Sequence, residues 1–234
     1  MNRVLFIIPA YNEEQAIKKT VDSILQANYD YIVINDGSID STPAILDSNN
    51  YNHIDLLFNL GIGGAVQTGY KYAYENDYDI AIQFDADGQH DIKYIEDLIK
   101  PIVENKTNLT IGSCFIDKKN KSLRSSRIRR IGIRFLSNFI KLLSGKKIYD
   151  PTSGFRAADK TIISIFAENY PLEYPEPVSN FKLLKSKKYK IKEVPVVMNK
   201  RAGGKSSIHS WKSIYAAFNV MLSILILSLR RKND

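Results

Sequence analysis

Disulfides are excluded from this chain, because Cys114 is its only cysteine. The same scarcity removes any cysteine-based metal centre. The apolar neighbours Ile111 and Phe115 mark the thiol as a buried one rather than a nucleophile, and a reducing cytoplasm suits such a chain. No internal repeat, low-complexity tract or flexible linker breaks the 234 residues. No secretory leader is visible either. The apolar run at 4–8 is too short for one and passes into Pro9-Ala10-Tyr11-Asn12-Glu13-Glu14 without a cleavage site, so the protein is expected inside the cell. Long hydrophobic runs are missing too. Residues 214–229 carry no charge over 16 positions, but as a helix they reach only about 24 Å against a hydrocarbon core of ~30 Å. Asn219, Ser223 and Ser228 interrupt that stretch. It reads as an interfacial helix, or as one packed on the rest of the chain or on a subunit partner. Neither a dinucleotide fingerprint nor a P-loop is present, and no nucleic-acid-binding motif appears.

What remains is an ordinary globular composition, 44% hydrophobic and 25% charged, long enough to bury one sizeable core. The net charge of +8 hides an asymmetry: residues 1–116 carry 7 Lys+Arg against 17 Asp+Glu, and residues 117–234 carry 26 against 8. The acidic half suits a cation. The basic half suits phosphate in a nucleotide, a lipid headgroup or a nucleic acid.

The first half alternates. Strands are expected at 3–9, 31–35, 53–58, 79–84 and 107–113, and helices at 13–27, from 41 onward, at 64–76 and at 92–104, from apolar periodicity and turn residues. Such alternation predicts a mostly parallel sheet with helices on both faces, whose ligands bind beyond the carboxyl ends of the strands. The second half is less regular. It has an amphipathic helix at 128–143 with Ile131, Phe135, Phe139 and Leu142 on one side, turn residues in 149–158, a short helix at 161–168 and a strand at 191–198.

The sharpest local signal is Gln83-Phe84-Asp85-Ala86-Asp87-Gly88-Gln89-His90. At a strand end, residues i and i+2 share a face, so Asp85 and Asp87 are expected to converge. Two such carboxylates repel unless a cation lies between them, and hard oxygen donors suit Mg²⁺ or Mn²⁺ on a diphosphate. A bare Asp-x-Asp is equally an acidic turn. His90 reads as a surface histidine. Asn59-Leu60-Gly61-Ile62-Gly63-Gly64-Ala65 either lets backbone approach a ligand or serves tight packing.

Read together, Pro9-Ala10-Tyr11-Asn12-Glu13-Glu14, Ile34-Asn35-Asp36-Gly37-Ser38-Ile39-Asp40, the Asp85–His90 run and Asp150-Pro151-Thr152-Ser153-Gly154-Phe155-Arg156 resemble family 2 glycosyltransferases. Within the family the chain is similar to the dolichol- or polyprenyl-phosphate mannosyl/glucosyltransferase branch, over roughly residues 3–207. The resemblance implies an α/β GT-A (Rossmann-like) fold with a basic C-terminal acceptor region. Residues 1–207 would form the transferase domain, with a donor half at 1–116 and an acceptor half at 117–207, and 208–234 the interfacial or packing helix. It implies a nucleotide-diphosphate-sugar donor, Mg²⁺ or Mn²⁺, and inversion at the anomeric carbon. Asp85, Asp87 and Gln89 would meet the metal. Pro9, Tyr11, Glu13 and Asp36 would line the nucleoside, and Asp85, Arg156, Arg201 and Lys205 the phosphates, the last two as a lid over Gly203-Gly204.

Asp87 and Glu176 are the expected catalytic pair, with Glu173 behind Glu176. A base is needed only if the acceptor is a saccharide hydroxyl, because a polyprenyl phosphate is already ionised. Val178 stands where some relatives extend the Pro-Glu-Pro run with another glutamate. The acceptor is a polyprenyl phosphate or a lipid-linked or cell-wall saccharide. Arg124, Arg127, Arg129, Arg130, Arg134 and Lys141, with the C-terminal helix, would give a basic, apolar surface for the inner face of a membrane. Two other classes compete: a sugar-phosphate nucleotidyltransferase, which would want a Gly-rich basic loop after the first strand, and a catalytically silent sugar-nucleotide-binding subunit.

Overall fold

The computed structural model describes residues 2–116, 127–199 and 210–230. Among them seven strands form one sheet: β1 (Val4–Ala10), β2 (Asp30–Asn35), β3 (His53–Asp55), β4 (Ile80–Gln83), β5 (Leu109–Ser113), β6 (Arg156–Asp159) and β7 (Ile191–Pro195), in the order β3-β2-β1-β4-β6-β5-β7. Every pairing is parallel except those of β6, which runs antiparallel between β4 and β5. A strand from the basic half therefore lies between two from the acidic half, and one sheet spans both.

Alternation along β1 divides the interior. Leu5 and Ile7 join one buried cluster, and Phe6 and Ile8 the other. The first is covered by α3 (Gly61–Glu75), α6 (Lys160–Glu168), α7 (Pro175–Ser186) and the inner sides of α5 (Arg127–Ser144) and α8 (Ser210–Leu229). The second is covered by α1 (Ile17–Gln26), α2 (Thr42–Ser48) and α4 (Ile95–Val103). Each fully buried Ile or Leu contributes roughly 1.5–3 kcal/mol, so both faces of the sheet are strongly held. Gly69 lets α3 lie directly on β1, since a Cβ there would overlap the Ile7 side chain.

Among the differences from expectation, four have a local reason. The strand at 53–58 ends at Asp55, because β3 is an edge strand with β2 as its partner, and Leu57 and Phe58 stand exposed beyond it. The turn-rich 149–158 segment hides β6, whose Arg-Ala-Ala-Asp sequence lacks apolar alternation yet is buried at its first three positions. Pro175 and Pro177 hide helix α7 from local sequence. Both sit in its first turn, where no intrahelical N–H is needed. Residues 92–94 form a 3₁₀ turn whose capping residue Asp91 accepts a bond from the Lys93 N–H at 3.1 Å, and α4 proper begins at Ile95.

α8 packs on α5 and α7. The Lys185 ammonium of α7 donates to the carbonyls of Leu227, Ser228 and Arg230, satisfying groups that a helix C-terminus leaves open. No helix among the described residues is long and apolar enough to cross a membrane.

Candidate active site

Strands β1, β2 and β4 end on one edge, and their following loops build the site. The first two loops hold each other. The Asn12 N–H donates to Ser38 Oγ (2.9 Å), the Ile39 N–H to Asn12 Oδ1 (2.9 Å), the Glu13 N–H to Thr42 Oγ1 (2.9 Å) and the Ser41 N–H to Glu14 Oε2 (3.0 Å). Asn12 takes the left-handed backbone, φ 56°, which asparagine tolerates best after glycine. Pro9 stands in a central strand without breaking the ladder. The Ile7 carbonyl bonds the Phe84 N–H on the β4 side at 2.9 Å, and by alternation Pro9 faces the same way, past the last β4 pair. Tyr11 and Glu13 follow at the rim, Tyr11 about half exposed and Glu13 partly so.

Asp36 is buried at the end of β2. Its Oδ1 accepts the Leu60 N–H at 2.7 Å, and its carbonyl accepts Asn59 Nδ2 at 3.1 Å. Burial raises its pKa, opposed by the Leu60 and Gly61 N–H groups. Asp36 thus ties the second loop to the start of α3, so part of its bonding capacity is spent inside the protein.

The 84–90 segment is a turn, not a strand end. Regular pairing of β4 stops at Gln83, so strand alternation does not orient Asp85 and Asp87. The turn's own bonds do. Ala86 is buried, its carbonyl taking Thr20 Oγ1 at 3.0 Å; Asp87, 8% exposed, accepts the Gln89 N–H at 3.0 Å; Gly88 has φ 76°. The Gln89 carbonyl accepts the Asn199 N–H at 2.8 Å, which brings the chain after β7 to this turn. Arg201 and Lys205 lie outside the described residues.

His90 is not a surface residue. It is 6% exposed, stacked on Phe155 at 4.5 Å and 15°, and its Nδ1 accepts the Asp85 N–H at 3.0 Å. Burial lowers its pKa to about 4, with Asp87 opposing. Gly154 lies over Asp85: a Cβ there would stand 2.9 Å from Gln83 Nε2 and 3.1 and 3.2 Å from the two Asp85 carboxylate oxygens.

Among the described residues no group of three His, Cys, Asp or Glu gathers as a metal cage. Two carboxylates and the Gln89 amide oxygen on one short turn make an all-oxygen donor set. That set fits Mg²⁺ or Mn²⁺ completed by phosphate oxygens and water.

Beneath the turn runs a polar network that local sequence did not reveal. Gln83 Nε2 donates to Glu176 Oε1 at 3.3 Å, and the Tyr170 hydroxyl stands 3.5 Å from Gln83 Oε1. Arg156 is wholly buried, donating to Ser179 Oγ (3.2 Å) and the Ser153 carbonyl (2.9 Å). The expected phosphate clamp therefore sits between the sheet and α7, under the site. Glu176 lies in the first turn of α7, and its carboxyl group is turned inward to Gln83. Burial raises its pKa, with the Arg156 guanidinium opposing, while Glu173 is exposed. Glu193 of β7 accepts the Tyr149 and Asp150 N–H groups, both at 2.8 Å, and so anchors the loop that carries Gly154 and Phe155. Arg156 and Glu176 of this layer belong to the motifs that sequence singles out, and Gln83 is the polar residue that closes an apolar strand.

An open, largely parallel α/β sheet with an Asp-x-Asp turn at its carboxyl edge defines a GT-A-like glycosyltransferase. The chain belongs to the family described as glycosyl transferase family 2, whose model matches residues 5–166, and it is a glycosyltransferase. It is 32% identical to a UDP-N-acetylglucosamine--dolichyl-phosphate N-acetylglucosaminyltransferase of Methanococcus voltae, covering 99% of this chain and 98% of that one. It is 27% identical to a polyprenol monophosphomannose synthase of Mycolicibacterium smegmatis, covering 69% and 63% respectively. Its fold is similar to that of glucosyl-3-phosphoglycerate synthase from Mycobacterium tuberculosis, at TM-score 0.72 and 18% identity over 99% of this chain and 82% of that one. The same neighbour in complex with Mn²⁺, uridine diphosphate and phosphoglyceric acid matches at TM-score 0.69, 17% identity, 99% and 80%.

Proposed function

We propose that this glycosyltransferase moves a sugar from a nucleoside-diphosphate donor to a polyprenyl phosphate, with inversion, at the inner face of a membrane. The observation that carries the reading is the Asp85–Asp87 turn roofed by Gly154, in a chain whose full-length relative is named for lipid-phosphate glycosylation. A phosphate oxygen of the acceptor attacks the anomeric carbon as the bond to the diphosphate breaks, leaving a sugar-phosphate lipid and a nucleoside diphosphate. The acceptor is ionised at neutral pH, so no base is required. That agrees with a Glu176 hydrogen-bonded by Gln83 and set beside Arg156, which orients the rim rather than removing a proton.

Asp85, Asp87 and Gln89 would hold Mg²⁺ or Mn²⁺, which supplies Lewis-acid stabilisation of the departing diphosphate. Asp87 is the residue on which the chemistry depends most. Glu13 and Asp36, with Pro9 and Tyr11 beside them, face the nucleoside. Arg201 and Lys205 are proposed to close on the phosphates from the segment that leaves Asn199.

The membrane reading rests on two adjacent helices. Ile131, Phe135 and Leu142 on α5, and Phe218, Leu222 and Leu229 on α8, are all exposed. Within each helix they recur at intervals of 4 and 7 residues, one face of a helix. Arg130, Arg134 and Lys141 flank the α5 stripe and are exposed, which suits anionic lipid.

The test is a turnover assay with purified protein, Mn²⁺ and a panel of nucleotide sugars, with and without polyprenyl phosphate. Release of nucleoside diphosphate that requires the lipid is expected. Release only with a saccharide acceptor would refute the acceptor and return Glu176 to a base's role. Donor binding without release under every condition would identify a silent subunit.

A further inference from the structure

The turn that carries Asp85 and Asp87 is closed by a residue with no assigned role. His90 occupies a slot between two rings: its face stacks on Phe155 at 4.5 Å, and its edge meets Phe84 with centroids 5.3 Å apart at 79°. Packing alone would favour an apolar side chain there, because burying a polar ring costs free energy unless its nitrogens are bonded. Both nitrogens of His90 lie close to one residue. Nδ1 accepts the Asp85 backbone N–H at 3.0 Å, and Nε2 lies 3.5 Å from Asp85 Oδ2. In a neutral ring only one nitrogen carries a proton. Since Nδ1 is the acceptor, the proton is on Nε2, the nitrogen 3.5 Å from Oδ2.

We infer that His90 is a positioning residue for Asp85, fixing its backbone through the bond to Nδ1 and setting Nε2 3.5 Å from its carboxylate, so that the carboxylate presents a defined orientation to a divalent cation. The ring is itself fixed by Phe155, the neighbour of Gly154, so the 149–156 loop and the 84–90 turn orient Asp85 together. This inference rests on the reading that Asp85 and Asp87 hold the metal. Partners that orient a metal-bound side chain typically contribute 10–100-fold to affinity, and that is the size expected here.

The experiment counts free Mn²⁺ by electron paramagnetic resonance while the full-length protein is titrated in the presence of uridine diphosphate. In parallel it measures metal-free uridine diphosphate binding and thermal melting. His90→Phe keeps the ring between Phe84 and Phe155 and removes both nitrogens. His90→Asn restores an acceptor near the Nδ1 position without the Nε2 donor. The expected result is Mn²⁺ affinity about 10–100-fold weaker in His90→Phe and intermediate in His90→Asn, with metal-free nucleotide binding unchanged in both. Mn²⁺ affinity within twofold of wild type in His90→Phe would overturn the inference. So would a parallel loss of metal-free nucleotide binding, which would mean that His90 only packs. Asp87→Asn separates the two levels. If it abolishes the Mn²⁺ response while His90→Phe leaves it intact, the metal reading stands and the His90 inference fails. If Asp87→Asn retains the response, the metal reading fails and takes the inference with it.

Discussion

Replacing Gly154 with alanine would place a methyl group 2.9 Å from Gln83 Nε2 and 3.1 and 3.2 Å from the two oxygens of Asp85. Those distances are several tenths of an ångström inside normal contact, so something must move. The backbone is not the obstacle, because Gly154 is not among the positive-φ glycines. Nor are the neighbours loose ends. Gln83 is bonded to Glu176, and Asp85 is held by His90 at its backbone. Overpacking of this kind costs about 1–3 kcal/mol. In a chain of this size that lowers the melting temperature by roughly 2–4 °C per kcal/mol. The larger consequence is local: the Asp85 carboxylate is pushed off its position, so Mn²⁺ binding in the presence of uridine diphosphate should weaken by more than the fall in stability suggests. Gly132→Ala is the control, since a Cβ there meets nothing within 4 Å on α5. It should stabilise by about 0.5–1 kcal/mol through helix propensity and leave Mn²⁺ binding alone. Isothermal titration of both variants decides. A Gly154→Ala protein that binds Mn²⁺ and nucleotide within twofold of wild type would refute the argument that Gly154 is there to admit Asp85.

Three further outcomes follow from the same contacts. Leu222→Glu and Phe135→Ser change exposed residues and should leave the fold intact, yet each should weaken flotation with anionic liposomes, and Leu222→Glu the more because it adds a repelled charge; unchanged flotation would remove α5 and α8 from the membrane reading. Glu193 has a folded pKa raised above 4.5 by burial, so the folded state holds its proton more tightly than the unfolded chain and stability falls as pH rises through that raised value. Glu193→Gln lacks this decline, so its melting temperature relative to wild type should be higher at pH 7 than at pH 4, and a constant difference would exclude the linkage. Lys185→Met removes the donor to three carbonyls at the end of α8 and should speed hydrogen exchange in the last turn of α8 while sparing β1.

What local sequence could and could not reveal follows from how far apart the interacting residues lie. Strands β1, β2 and β4 were legible because each is a short apolar run ended by turn residues, and the rim loops because Asp36-Gly37-Ser38 and Asp85-Ala86-Asp87 are polar clusters that follow such runs. The layer beneath was not legible, because its members meet across the fold. Gln83 and Glu176 are 93 residues apart, Tyr170 and Gln83 are 87, and Arg156 reaches Ser179 over 23. Arg156 illustrates the cost of reading locally. An arginine after Ser-Gly-Phe suggests a phosphate clamp, but β6 runs antiparallel between two parallel strands and pairs Arg156 with Gln83, which buries the guanidinium between the sheet and α7. There it stands beside Glu176 and opposes the rise that burial imposes on that carboxyl group. His90 shows the reverse error. A histidine after Gly-Gln in a polar run looks exposed, yet Phe155, 65 positions away in sequence, provides the face it stacks on. The acidic rim is thus local chemistry on a scaffold of distant contacts, and substitutions at Tyr170, Ser179 or Glu193 should disturb the site without touching any residue of its motifs.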